Sequence, residues 1–193
     1  WSFEGAVFGI TTIPGNIATI DIGGGSTEIS FGSIDRNGGV WNSGQSIDIG
    51  AVRIKERFLL QQPRVAEARA YIREQLTRIV LPETDLRALI AVAGTPTSLA
   101  AMKYKLETFD AKRVDGAVIR KFEIEALTEE MLSVTSQELI QRYPAVSPAR
   151  ADILPAGALI LEEALGALEL DSIRVSTQGV RYGILVRELR RMK

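Results

Sequence analysis

Residues 20–30 read IDIGGGSTEIS, and this stretch decides how the rest of the chain is parsed. The residues leading into it, 17–22 (IATIDI), are apolar and β-branched, as in a short strand. Those leaving it, 27–34 (TEISFGSI), alternate well enough for a second strand. Residues 35–39 (DRNGG) predict a hairpin turn, because Asn-Gly favours positive φ. Residues 40–49 (VWNSGQSIDI) then make a third strand, so the glycine run sits in a hairpin of an antiparallel meander.

Beyond Gly50 the period changes. Residues 51–60 (AVRIKERFLL) look helical and Pro63 punctuates them. From Val65 the apolar positions Val65, Ala68, Ile72, Leu76 and Ile79 step by three or four, as an amphipathic helix requires. Residues 88–94 (ALIAVAG) form a near-continuous apolar run, the pattern of a buried strand. A helix is predicted to follow, with Thr95 as N-cap and Pro96 in the first helical position. Residues 107–121 read as a polar loop with one short strand near Val118, and Leu127, Met131 and Val134 mark a further helical face. Ser147-Pro148 opens a long helix reaching about Leu168, with Pro155 as a kink or break. Residues 172–176 (SIRVS) are a strand, and residues 179–193 are a terminal helix whose basic end suits the helix dipole. A three-strand meander followed by alternating helices and strands predicts a layered α/β domain with a mixed sheet and flanking helices.

Composition removes several kinds of chemistry. The 193 residues include no cysteine and no histidine. Disulfides, thiol nucleophiles, Ser-His-Asp hydrolysis and imidazole metal ligands are therefore excluded from this chain. Catalysis has to run on carboxylates, hydroxyls, basic side chains or backbone amides. A net charge of −1 implies no broad attraction to nucleic acid or to a membrane surface. The longest apolar stretch, 156–168, is interrupted by Glu162 and Glu163, and no secretory signal is visible, which points to the cytoplasm. The chain opens on Trp1, which reads as a piece of a longer protein.

Glycine lacks Cβ, so a ligand can approach its backbone closely and the chain can take φ > 0. Gly23, Gly24 and Gly25 could turn several amides into one concavity for an oxyanion, with Ser26 and Thr27 adding hydroxyls. Asp21, at the strand end, is placed to hold hydrated Mg²⁺. Glu28, just beyond the loop, could accept a proton from an attacking water. Most glycine-rich turns are only turns, and three glycines alone are a weak motif. The run fits neither G-x-x-x-x-G-K-[ST], for want of a lysine, nor G-x-G-x-x-G opening a helix, because a strand follows. Gly94 and Thr95 end a second strand at a helix N-terminus, and two strand-end glycine turns in one domain favour a shared ligand cleft.

With both turns in hand, the sequence resembles the exopolyphosphatase / guanosine pentaphosphate phosphohydrolase family. Residues 20–30 look like its second phosphate loop, and 46–59 (SIDIGAVRIKERFL) like the strand and helix that follow. Residues 91–103 (AVAGTPTSLAAMK) are similar to its glycine–threonine motif, and 149–161 and 175–185 to its closing segments. The loop alone is shared with actin, sugar kinases and heat-shock chaperones, whereas the ordered set of five is specific. The resemblance implies a ribonuclease H-like fold used twice in the intact protein. Residues 1–14 would be an interdomain helix and linker, and 15–193 the second domain, with the C-terminal helix against the missing first one. It implies Mg²⁺-dependent release of terminal phosphate from polyphosphate or guanosine pentaphosphate. Asp21 would be metal-linked, Gly23, Gly24, Gly25, Ser26 and Thr27 would hold phosphate, and Glu28 would activate water. Gly94 and Thr95 would lie near the substrate. Arg150 would contact phosphate or else form a structural ion pair beside Asp152. Residues 1–10 look like the helix after the family's other catalytic glutamate, so Glu4 is assigned a packing role. That earlier glutamate and an earlier phosphate loop are not in this chain, which predicts half an active site, inactive alone. A homodimer is left open. The competing readings are the nucleotide-binding half of a sugar kinase or chaperone-like ATPase, and a non-catalytic phosphate sensor.

Overall fold

The computed structural model describes residues 1–10, 12–35 and 38–191. Strands β1 (Gly15–Ile22), β2 (Thr27–Asp35) and β3 (Gly38–Ile47) form the predicted meander. Its first hairpin pairs Ile22 with Thr27 and Asp21 with Glu28. Its second pairs Asp35 with Gly38, and the turn residues 36–37 lie outside the described residues. Strand β4 (Leu89–Val92) is buried at all four positions and runs parallel to β1. Strand β5 (Val118–Arg120) pairs antiparallel with β6 (Ser172–Val175), which is itself parallel to β4. The strand order is β3-β2-β1-β4-β6-β5, a mixed sheet.

Helix α1 (Ser2–Ala6) covers one face of the sheet. There Phe3, Ala6 and Val7 bury against Ile17, Ile34, Ile90 and Val92. The opposite face carries the main core, where Ile20, Ile29 and Phe31 meet the layer that begins with α2 (Ala51–Ile54) and its π-helical continuation Lys55–Leu59. Helix α3 (Val65–Leu76) buries Ala68, Ile72 and Leu76 at the predicted spacing. Helices α4 (Gly94–Lys103), α5 (Ala111–Val114), α6 (Lys121–Leu132), α7 (Ser136–Arg142), α8 (Pro148–Ala151), α9 (Leu154–Ala167) and α10 (Val180–Arg191) follow. Central α9 is apolar around most of its surface, and the two carboxylates that interrupt it are neutralised from α3. Arg69 Nη1 lies 2.6 Å from Glu162 Oε2, and Arg73 Nε lies 2.6 Å from Glu163 Oε2. Among the described residues no helix is long and apolar enough to cross a membrane.

Three local expectations are corrected. The segment from Ser147 is two helices, broken at Asp152 and Ile153, and Pro155 sits in the first turn of α9, where its missing N–H costs nothing. Residues 107–121 contain the short α5, because the Asp110 carboxylate accepts from the amides of Lys112 (2.9 Å) and Arg113 (3.4 Å). Helix α4 starts at Gly94, with Ala93 rather than Thr95 as N-cap. Ala93 adopts φ 71°, ψ −158°, a conformation close to glycine-only. Its side chain is exposed, so its replacement loses no packing. Ala93→Gly is therefore expected to raise unfolding free energy by about 1 kcal/mol, strain relief exceeding the added chain entropy. Urea denaturation measures it.

Candidate active site

Strands β1 and β4 are adjacent and parallel, so their C-terminal ends open on the same side of the sheet. That is where α/β sheets bind ligands. The β1 end continues into Gly23–Ser26, closed by the Gly23 amide donating to the Ser26 carbonyl at 2.9 Å.

The conformation of this loop is set by α2. Helix N-termini need acceptors for their first amides, and here the glycine carbonyls provide them. Ala51 N–H donates to Gly23 O (2.9 Å), and Val52 and Arg53 N–H donate to Gly24 O (3.0 and 3.1 Å). The Arg53 Nε–H donates to Gly25 O at 3.0 Å. All three glycine carbonyls thus point at α2. In a trans peptide the N–H points opposite to the C=O. The amides of Gly24, Gly25 and Ser26 are consequently turned away from α2, and among the described residues they make no hydrogen bond.

Of the two expected reasons for the glycines, positive φ does not apply. None of Gly23, Gly24 or Gly25 lies in the left-handed region. A Cβ on Gly23 or Gly24 would be tight against Ser26 O (3.1 Å) or Val52 Cγ2 (3.3 Å). A Cβ on Gly25 would meet only Arg53 Nη2, at 3.8 Å. Neither backbone nor packing demands glycine at position 25, whose outer side is open.

Beside the loop, one row of side chains crosses three strands. Asp21 pairs with Glu28, and Glu28 with Ser46. Glu28 Oε1 accepts from Ser26 Oγ (2.6 Å) and Ser46 Oγ (2.8 Å). Two hydroxyls hold that oxygen, and no bond to Oε2 is recorded among the described residues. Asp21 Oδ2 accepts from Ser2 Oγ of α1 at 3.0 Å. Burial pushes the Asp21 pKa above the ordinary carboxylate value, opposed by the Ser2 hydroxyl and reinforced by the charge of Glu28. A cation between the two carboxylates would remove that repulsion, so this pair suits a divalent ion. Among the described residues no three His, Cys, Asp or Glu side chains converge. Such an ion would keep water and phosphate oxygens in its shell, as Mg²⁺ does.

Asp21 also lines a cleft of about 620 Å³ that extends across β4, walled by Ala93, Gly94, Thr97 and Arg150. The glycine loop and Glu28 flank this cleft at Asp21 and are not part of its lining. Arg150 lies over Gly94, where a Cβ would fall 2.7 Å from its Nε. It forms no ion pair among the described residues, because Asp152 is bonded to Lys55 instead.

Two residues take other places than expected. Thr95 is turned into the α4–α9 contact, and a Cβ on Gly157 would lie 2.3 Å from its Oγ1. The earlier helix start rotates it inward and brings Thr97, one turn on from Gly94, to the cleft. The Thr97 hydroxyl donates to Ala93 O at 2.9 Å. Thr27 is fully buried and its hydroxyl donates to Ile49 O, so that hydroxyl serves the core rather than a ligand.

The far wall was missed by the sequence reading. It consists of Phe109, Thr177, Gly179, Arg181 and Tyr182, brought in by the α5 approach and the start of α10. The basic-aromatic Arg181-Tyr182 pair just after a strand was the available signal.

A mixed sheet with two strand-end glycine turns side by side defines this as a domain of the actin-like, ribonuclease H-like class. Solved structures agree. The Ppx/GppA phosphatase of Aquifex aeolicus superposes with a TM-score of 0.87 at 28% identity, covering 97% of this chain and 61% of that one. A crystal structure of an exopolyphosphatase-like protein matches at TM-score 0.88 and 26% identity, over 100% of this chain and 66% of that one. Exopolyphosphatase 2 of Mycobacterium tuberculosis is 29% identical over 193 residues, 95% of this chain and 59% of that protein. The chain belongs to the Ppx/GppA phosphatase family, whose model matches residues 2–192. It spans about three-fifths of the length of these relatives.

Proposed function

We propose that this chain contributes one half of the active site of a phosphoanhydride hydrolase releasing terminal phosphate from inorganic polyphosphate or guanosine pentaphosphate. The observation that carries this reading is the outward turn of the Gly24, Gly25 and Ser26 amides beside the Asp21–Glu28 pair. Unpaired amides on a loop braced through its carbonyls are donors already aimed before substrate arrives, the arrangement that stabilises developing charge on an oxyanion. Family membership and the exopolyphosphatase relatives support the same reaction class.

In this scheme the amides bind equatorial oxygens of the terminal phosphoryl group. Glu28, held through Oε1 by two serines, orients a water and receives its proton at Oε2. The new bond joins that water oxygen to phosphorus while the anhydride P–O bond breaks opposite it. Mg²⁺, when bound by Asp21 with Glu28 nearby, supplies charge neutralisation at the phosphate oxygens. Arg150 and Arg181 add positive charge along the cleft for the rest of a polyanionic chain. Residues 1–14 form the connection to a preceding domain and 15–193 the second domain, so the opposing wall comes from the rest of the polypeptide.

The intact polypeptide is expected to release orthophosphate from polyphosphate or guanosine pentaphosphate in the presence of Mg²⁺, and the 193-residue chain alone to release none. Release by the isolated chain at the intact rate overturns the half-site reading. No release by the intact protein from either substrate, with turnover of ATP instead, favours a kinase- or chaperone-like ATPase.

A further inference from the structure

The first turn of α2 delivers one more group to the glycine loop. The Arg53 side chain is half exposed, and its Nε–H donates to Gly25 O at 3.0 Å. A guanidinium carries five N–H donors in a rigid plane, so fixing Nε also fixes where the two terminal nitrogens point. Those nitrogens, Nη1 and Nη2, make no hydrogen bond among the described residues. Asp48 Oδ1 stands 3.7 Å from Nη2, beyond hydrogen-bond reach, and the Asp48 carboxylate is largely exposed. An exposed pair of that kind holds its partners weakly.

Nη2 borders the open side of Gly25. A Cβ built on Gly25 would lie 3.8 Å from Nη2 and, apart from the adjoining loop residues, would meet no other protein atom within 4 Å. An oxygen standing about 1 Å nearer to the guanidinium than that Cβ is at hydrogen-bond distance. The loop also needs a cation, because Asp21 and Glu28 flank it and repel a phosphate chain. Lys55, the next basic residue along the segment, is committed to Asp152. Arg150 and Arg181 line the cleft across β4 rather than the loop. Arg53 is the basic side chain bonded to the loop itself.

We propose, on the reading of the glycine loop as the phosphate site, that Arg53 is a further substrate-contacting residue. Its Nε–H braces Gly25 O while a terminal N–H donates to an oxygen of the phosphoryl group held by the loop amides. Asp48 keeps the guanidinium in waiting and yields it to the more highly charged phosphate. One side chain thereby joins the carbonyl side of the loop to its ligand side.

The test assays the intact protein with polyphosphate and with guanosine pentaphosphate at saturating Mg²⁺, and carries the substrate that is turned over through the variants. Arg53→Gln is expected to lower kcat/KM about 10- to 100-fold, the scale of a hydrogen bond to a charged group. Loss of the brace on Gly25 O could do the same, so a double-mutant cycle separates the two roles. Asp48→Asn leaves the brace in place and frees the guanidinium. It should lower KM about two- to fivefold, the worth of an exposed ion pair, and have no such effect when residue 53 is already changed by Arg53→Gln. An arginine that only braces the loop predicts equal effects of Asp48→Asn in both backgrounds. That equality, a KM not lowered by Asp48→Asn, or wild-type kcat/KM in Arg53→Gln overturns the contact while the hydrolase reading stands. No release by the wild-type protein from either substrate overturns both.

Discussion

Glu28→Gln is expected to lower phosphate release by the intact protein at least about 100-fold while leaving its unfolding midpoint unchanged, the scale on which loss of a positioned general base is felt. The fold survives because the amide oxygen of glutamine can still accept from Ser26 and Ser46, the bonds that seat this side chain on β2. The chemistry fails because an amide cannot take the proton from water. The substitution also removes a negative charge beside Asp21, which burial and Glu28 together hold above the ordinary carboxylate range. Asp21 should therefore ionise more readily in the variant, so the loss cannot be ascribed to an uncharged Asp21. Release rates within a few-fold of wild type at saturating Mg²⁺ would remove Glu28 from the proton-transfer role.

Gly50→Ala is the second large effect. Gly50 has φ −129° and ψ 161°, an extended backbone open to any residue, so the obstacle is steric. Its Cβ would lie 2.3 Å from Gly24 O, 2.4 Å from Gly24 C and 2.5 Å from Gly25 N. All three are backbone atoms of the braced loop, with no side chain to swing aside. The loop has to retreat by roughly 1 Å, a displacement of a kind that can cost about 100-fold in rate. It should also cost about 1–3 kcal/mol in stability, as overpacking does. Gly25→Ala is the contrast, because its Cβ meets no protein atom closer than 3.8 Å. Stability should stay at the wild-type value while phosphate release falls, since the added methyl occupies the side from which phosphate approaches. Paired denaturation and release measurements separate the two causes. Wild-type release by Gly25→Ala would show that nothing comes close to that residue.

The elements of the sheet were legible because strand patterning is local. Residues 17–22 and 27–34 alternate or run apolar on their own, and the buried four residues of β4 could hardly be anything else. The start of α4 was misjudged because Thr95-Pro96 is a strong local cap signal. Tertiary packing overrode it, as Ala93 takes a strained conformation and Thr95 turns into Gly157. Likewise Thr27, polar and next to a glycine loop, reads as a ligand residue until its neighbours are known, and the structure spends its hydroxyl on Ile49 O. Arg150 stood evenly between phosphate contact and ion pair. Lys55, 97 residues away in sequence from Asp152, takes the carboxylate that would have paired it.

By itself the sequence determined the class of sheet, the order of the motifs and the chemistry that the absence of cysteine and histidine leaves open. Those follow from composition and from periodicities a few residues long. Only the tertiary structure decided the direction of the loop amides, because the first turn of α2, some 27 residues downstream of Gly24, consumes the glycine carbonyls. It also decided which threonine faces the cleft and that Arg150 has no ion pair among the described residues. Each of these depends on which distant group arrives first to satisfy a polar atom or fill a space, and no local pattern carries that information.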